Sequence, residues 1–151
     1  MAYHPIGGIV PVKKFEEIYN IIKDIEDAEV RIAPDETLYI INLNASQAKE
    51  IAAITEDGAK NLFETSVSCI GSTVCQIGLR DSQGLLASIV ATVEPYHFAD
   101  GVLPRIHISG CTSSCGTHQI GKLGFHGASK RVDGKMQPAF AFHVNGTDAQ
   151  G

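Results

Sequence analysis

The chain has 151 residues, 19% of them charged, a net charge of −5 and a mean hydropathy of +0.04. That is enough chain for one or two small domains with a real core. The mildly acidic balance gives no reason to expect nucleic acid or a membrane surface as partner, and no apolar run approaches the roughly 20 residues that span a bilayer, so a soluble cytoplasmic protein is expected. Residues 3–10 are apolar around Gly7 and Gly8 and read as a short first strand. Pro11 suits the opening turn of a helix, in which Phe15, Ile18, Ile22 and Ile25 recur at three- and four-residue steps and form the inward face. Residues 29–32 alternate as a strand, with Arg31 read as a surface or edge arginine. Pro34-Asp35-Glu36 supply a turn, and residues 37–43 are rich in β-formers. Asn44 or Ser46 is placed to cap a second helix that turns Ala48, Ile51, Ala52 and Ile54 inward. The order is β-α-β-β-α, ending near Thr55, with a boundary at Glu56-Asp57-Gly58.

The second stretch opens on Leu62-Phe63 and a loop with two cysteines. Asp81 or Ser82 is set to cap a helix carrying Leu85, Leu86, Ile89, Val90 and Val93, which Pro95 ends. Asp100-Gly101 mark a turn before a strand at 105–109, and a second cysteine loop follows. Residues 123–130 and 138–144 then flank Asp133-Gly134, a strong hairpin signal whose flanks leave room for a bulged turn. His107 falls in an apolar strand and reads as a satisfied core histidine, while His4, His97, His126 and His143 read as strand or surface positions. Lys122, Lys130, Arg131 and Lys135 read as solvated hairpin charges. The expected class is α+β, with helices against a mixed or antiparallel sheet and both cysteine loops at one end.

All four cysteines lie between positions 69 and 115, as C-x5-C (Cys69, Cys75) and C-x3-C (Cys111, Cys115), each pair flanked by glycine. Four soft thiolates from two glycine-containing loops suit a [4Fe–4S] cluster, which takes one cysteine per iron, and the glycines let the backbone approach the sulfides. A zinc site stays open, although zinc loops usually space cysteines by two to four residues. Two disulfides also stay open, although nothing like a secretory signal precedes residue 20. Four unrelated thiols are the remaining reading. Ser68, Ser72, Thr73, Thr112, Ser113 and Ser114 are candidate donors to the sulfurs, with ordinary turn chemistry as the alternative. His118, three residues past Cys115, is placed to donate a hydrogen bond near such a cluster.

The C-x5-C, about three dozen residues, C-x3-C order resembles the iron–sulfur module of the siroheme-containing sulfite and nitrite reductases. Leu103-Pro104-Arg105-Ile106-His107-Ile108-Ser109-Gly110-Cys111 looks like that family's strand into its second cysteine pair, and Cys115-Gly116-Thr117-His118-Gln119-Ile120 like the turn after it. The resemblance implies a ferredoxin-like half-domain at 1–57 and a 4Fe–4S domain at 58–151, cut short at its C-terminus. It implies Cys69, Cys75, Cys111 and Cys115 as cluster ligands and Cys115 as the bridge to a siroheme iron, with Ser113 and His118 as further cofactor contacts. It also implies a small inorganic anion as substrate, and a second half of the reductase or a partner subunit, because the family uses two copies of this unit and one is present. Such a chain is not expected to be active alone. Thr112-Ser113-Ser114 departs from the Pro and Asn usual between the family's last two cysteines, and the Ala33-Pro34-Asp35-Glu36 loop lacks the family's basic residue. A stand-alone electron-transfer protein without siroheme is the alternative.

Overall fold

The computed structural model describes residues 1–147; positions 148–151, which the reading above includes in the second domain, lie outside the described residues. The chain divides into two units, Met1–Lys60 and Asn61–Gly151. In the first, β1 (Ala2–Tyr3), α1 (Val12–Ile22), β2 (Glu29–Ile32), β3 (Leu38–Ile41) and α2 (Ala45–Ile54) follow one another in the expected order. The three strands make an antiparallel sheet in the order β1-β3-β2. Leu38 and Ile40 on β3 are buried with Tyr3, Ile18 and Ile51, whereas Tyr39 between them faces out, the two-residue period of a half-buried strand. Asn44, not Ser46, caps α2: its side chain accepts from the amides of Ser46 and Gln47, while the Gln47 side chain accepts from the Asn44 amide.

Two expectations for this unit are corrected. The first strand is two residues long rather than eight, because the chain turns at once: Gly8 N donates to Pro5 O at 2.9 Å, with Gly7 and Gly8 both at positive φ. Helix α1 stops at Ile22, so Ile25 lies in the turn beyond it, and Phe15 remains 43% exposed; Ile18 is the buried member of that face. Strand β2 spans the residues expected, and Arg31 is the edge-strand arginine foreseen, exposed and paired with Glu29 at 2.9 Å.

The second unit contains β4 (Val67–Ser68), α3 (Ser82–Val93), β5 (Ile106–Ser109), β6 (Leu123–Val132) and β7 (Lys135–Val144). The sheet order is β4-β5-β6-β7, with β4, β5 and β6 parallel and β7 antiparallel to β6, so the sheet is mixed. Asp81 caps α3 by accepting from Gly84 N at 2.8 Å. Leu86 from the helix packs on Ile106 and Ile108 of β5, with Phe63, Phe125 and Phe140 around them. Helix α3 ends at Val93, two residues before Pro95, as expected. Pro95 sits in the first turn of a 3-10 segment, Glu94–Tyr96, where its missing N–H costs nothing. The β6–β7 hairpin has no bulge: Val132 pairs directly with Lys135 across Asp133 and Gly134, both at positive φ as a primed two-residue turn needs.

Candidate metal centre

Because β4 and β5 are parallel neighbours, their C-terminal ends deliver Cys69 and Gly110-Cys111 side by side at one end of the sheet. The Cys69 amide still donates to Ile108 O at 3.0 Å, continuing the ladder by one residue. The first loop is then tied to the second: Leu79 N and Arg80 N both donate to Gly110 O at 2.9 Å. Within the first loop, Cys75 N reaches Gly71 O and Ser72 N reaches Arg80 O, each at 2.9 Å. This closure depends on missing side chains. A Cβ on Gly110 would sit 2.8 Å from Arg80 O and 3.0 Å from Gly71 Cα. The result is a cavity of about 210 Å³ whose walls include all four cysteines, with Ser109, Gly71 and Gly78.

All four cysteines are free thiols in this structure. Cys69 Sγ accepts from Gly110 N at 3.0 Å and lies 3.3 Å from Ser82 Oγ. Hydrogen bonds from the Ser113 side chain, then from its backbone, hold the Cys111 thiol below its usual range, favouring the thiolate that binds metal. Cys115 is the exposed member of the four. Three other hydroxyls foreseen as sulfur donors do not bond to sulfur. Thr73 donates to Ile70 O, Ser114 to Gln119 Oε1, and the Ser68 hydroxyl is buried with no hydrogen-bond partner. Two neighbours of the thiols were missed: Ser82, the first residue of α3, whose hydroxyl donates to Cys69 O at 2.6 Å and lies 3.3 Å from Cys69 Sγ, and Ser109, at the end of β5. Only the fold brings Ser82 beside Cys69 and sets Ser109 in the cavity wall.

His118 is buried and does not line this cavity; its Nδ1 lies 2.9 Å from Ser109 Oγ, which in turn accepts from Gly116 N. It therefore stands behind the cavity wall, one residue removed from the thiols. Burial, then the neighbouring His126 and His143, push its pKa down to about 4. His126 shifts in the same direction, by burial and by His143. These two histidines lie on strands, as expected, and His126 Nδ1 and His143 Nε2 are 2.6 Å apart, a contact that reading did not include. His4 was read as a strand or surface position and is instead buried, 3.0 Å from Thr37 Oγ1. His107 is half-buried and bonds Thr117 Oγ1 at 2.8 Å, with burial and then Arg105 lowering its pKa. Lys122, Lys130, Arg131 and Lys135 are exposed.

No protein-family model matches the chain. It is 28% identical over 144 residues to a ferredoxin–nitrite reductase of Synechococcus elongatus, a match covering 87% of this chain and 27% of that protein. It is 24% identical over 116 residues to a sulfite reductase [NADPH] hemoprotein beta-component of Bacillus subtilis, covering 70% of this chain and 20% of that one. The NirA protein of Mycobacterium tuberculosis has the same fold across 95% of this chain and 28% of its own, with a TM-score of 0.77 at 19% identity. The chain thus spans between a fifth and three-tenths of the proteins it matches. Among the described residues no helix is long and apolar enough to cross a membrane.

Proposed function

We infer that this chain, a relative of the nitrite and sulfite reductases, is the [4Fe–4S]-binding module of a siroheme-type reductase, with Cys69, Cys75, Cys111 and Cys115 as the four ligands. The observation that carries the reading is the shared cavity at the ends of two adjacent parallel strands, walled by all four thiols. The residues suit the group. The donors are all sulfur, two glycines leave the backbone close to the cavity, and Gly110 N and Ser113 already point hydrogen bonds at ligand sulfurs. Among the described residues, the four thiols are not a set whose donor atoms close around a single ion; His118, His126 and His143 are.

A bound cluster would take up and release electrons one at a time. The protein's part is to hold four thiolates, to tune them with the Gly110 amide and the Ser113 hydroxyl, and to leave one of them open outward. Exposed Cys115 is the ligand through which a second centre is reached. Siroheme, shared with a second half of the reductase or a partner subunit and carrying a small inorganic anion, is that centre in this reading; the sulfite reductase relatives are named as hemoproteins. The cytoplasm, where thiols stay reduced, is the compartment that fits.

The test is anaerobic purification or reconstitution followed by iron and sulfide analysis and absorption spectroscopy. The expected result is about four irons and four sulfides per chain, with broad visible absorption that bleaches on reduction, and loss of both in Cys69→Ser and Cys111→Ser. One zinc per chain and no colour would overturn the cluster reading. A cluster without any added siroheme bands, when the macrocycle and the partner half are supplied, would leave a stand-alone electron carrier.

A further inference from the structure

The β6–β7 hairpin and the loop that carries the second cysteine pair meet at a place the cysteine chemistry does not use. The two-residue turn fixes the register: Gly124 pairs with His143, and His126 with Ala141. Side chains on a sheet face repeat every second residue, so His126 and His143 lie on the same face, diagonally across the pair. Phe125 and Phe142 point to the other face, ring against ring at 4.8 Å. The connection from β5 to β6 folds back over the histidine face, and Gly124 permits it. A Cβ there would lie 2.0 Å from His118 O, so the absence of a side chain is what lets the loop backbone rest on the strand. His118 is thereby lowered onto the pair, its ring centroid 4.8 Å from that of His126 and 5.1 Å from that of His143.

We propose that His118, His126 and His143 form a second metal site, independent of the cysteines, for a divalent transition ion of the zinc class. One ring nitrogen from each residue lies within 4.8 Å of the others. Three nitrogens held about 2.1 Å from one ion are about 3.4 Å apart, so the set needs small ring rotations rather than a backbone change. Each residue is suited to its part. His118 spends Nδ1 on Ser109 Oγ, the kind of outer hydrogen bond that fixes a liganding imidazole, and leaves Nε2 for the ion. Between His126 and His143 one nitrogen now carries the bonding proton. On metal binding that proton moves to the opposite nitrogen of its own ring, and both lone pairs face the ion. Nitrogen donors of this type select zinc, cobalt, nickel or copper over magnesium and calcium, which prefer oxygen. Three protein ligands leave the fourth position to water or a small anion. The inference does not rest on the cluster reading, since none of the three lines the cysteine cavity.

Cobalt(II) is the probe, because its spectrum reports the donor atoms. Titrating it into the whole chain should give, beyond any cobalt taken by the thiols with its sulfur-to-cobalt charge-transfer band, one further equivalent with visible d–d absorption and no added sulfur band. His143→Asn and His126→Asn, on different strands, should each weaken that binding by at least about tenfold, while His97→Asn, at an exposed turn, should not. Should a variant fold poorly by circular dichroism, the wild-type chain still answers: that further equivalent of cobalt should broaden the imidazole proton resonances of His118, His126 and His143 and spare that of His97. Binding that carries the sulfur band alone, that survives both strand variants, or that leaves the three resonances sharp would overturn the site.

Discussion

Replacing Gly110 by alanine tests whether the two cysteine loops are held together by backbone contact. The glycine is not at positive φ, so alanine suits its backbone and the cost is purely steric. The added Cβ would meet Arg80 O at 2.8 Å and Gly71 Cα at 3.0 Å, both backbone atoms that cannot swing aside as a side-chain tip would. Cys69 Sγ, at 3.5 Å, is in ordinary contact, so the substitution pushes the first loop away rather than striking a ligand. Overpacking of this kind costs about 1–3 kcal/mol. For a unit of this size each kcal/mol lowers the melting temperature by about 4–8 °C. Parting the loops also breaks the two amide bonds into Gly110 O and spreads the thiol pairs, so iron content after reconstitution should fall along with stability. Gly134→Ala is the control. It forces a left-handed φ on an L-residue at about 1–2 kcal/mol, but meets no atom within 4 Å and lies at the hairpin tip. Matched destabilisation with full iron loading in Gly134→Ala, against poor loading in Gly110→Ala, is the expected pattern. Equal loading in the two variants would refute the argument.

Asn44→Ala removes both amide contacts of the α2 capping box and should cost the first unit about 1 kcal/mol, read by urea unfolding, with no effect on cobalt binding or iron content. Ser113→Ala removes the side-chain hydrogen bond that does most to favour the Cys111 thiolate, so the Cys111 pKa should rise and its alkylation at neutral pH, followed by mass spectrometry in the metal-free protein, should slow. His118 is held neutral when folded, with its pKa at about 4, whereas the unfolded chain protonates it near 6.5. Stability of the chelator-treated protein should therefore be level above about pH 6.5 and fall between there and pH 4, by up to about 3 kcal/mol at roughly 1.4 per pH unit. His126 acts in the same direction, and His118→Asn should flatten the upper part of the fall. A wild-type curve that rises or stays level on acidification through this window would contradict the burial of the triad.

Local order was legible in the sequence wherever the signal was local. The capping residues Asn44 and Asp81, the β-α-β-β-α succession and the Asp133-Gly134 hairpin each depend on a few adjacent residues and their backbone preferences. The cysteine quartet stood out as well, because thiol-bearing residues and their spacing are written directly in the chain. Strand length was not: whether residues 3–10 stay extended depends on where their hydrogen bonds go, and the turn at Pro5–Gly8 wins after only two ladder pairs. The histidine triad shows the boundary most clearly. A tight two-residue turn would have placed His126 and His143 on one face, but leaving room for a bulge shifts the register by one and sends one of them to the other side. No spacing rule could have added His118, which joins them only because a loop crosses the sheet where Gly124 lacks a side chain. Residue chemistry and short-range geometry thus belonged to the sequence. Which distant groups share a cavity was decided by parallel strand pairing and by backbone-on-backbone packing, and these exist only once the chain has folded.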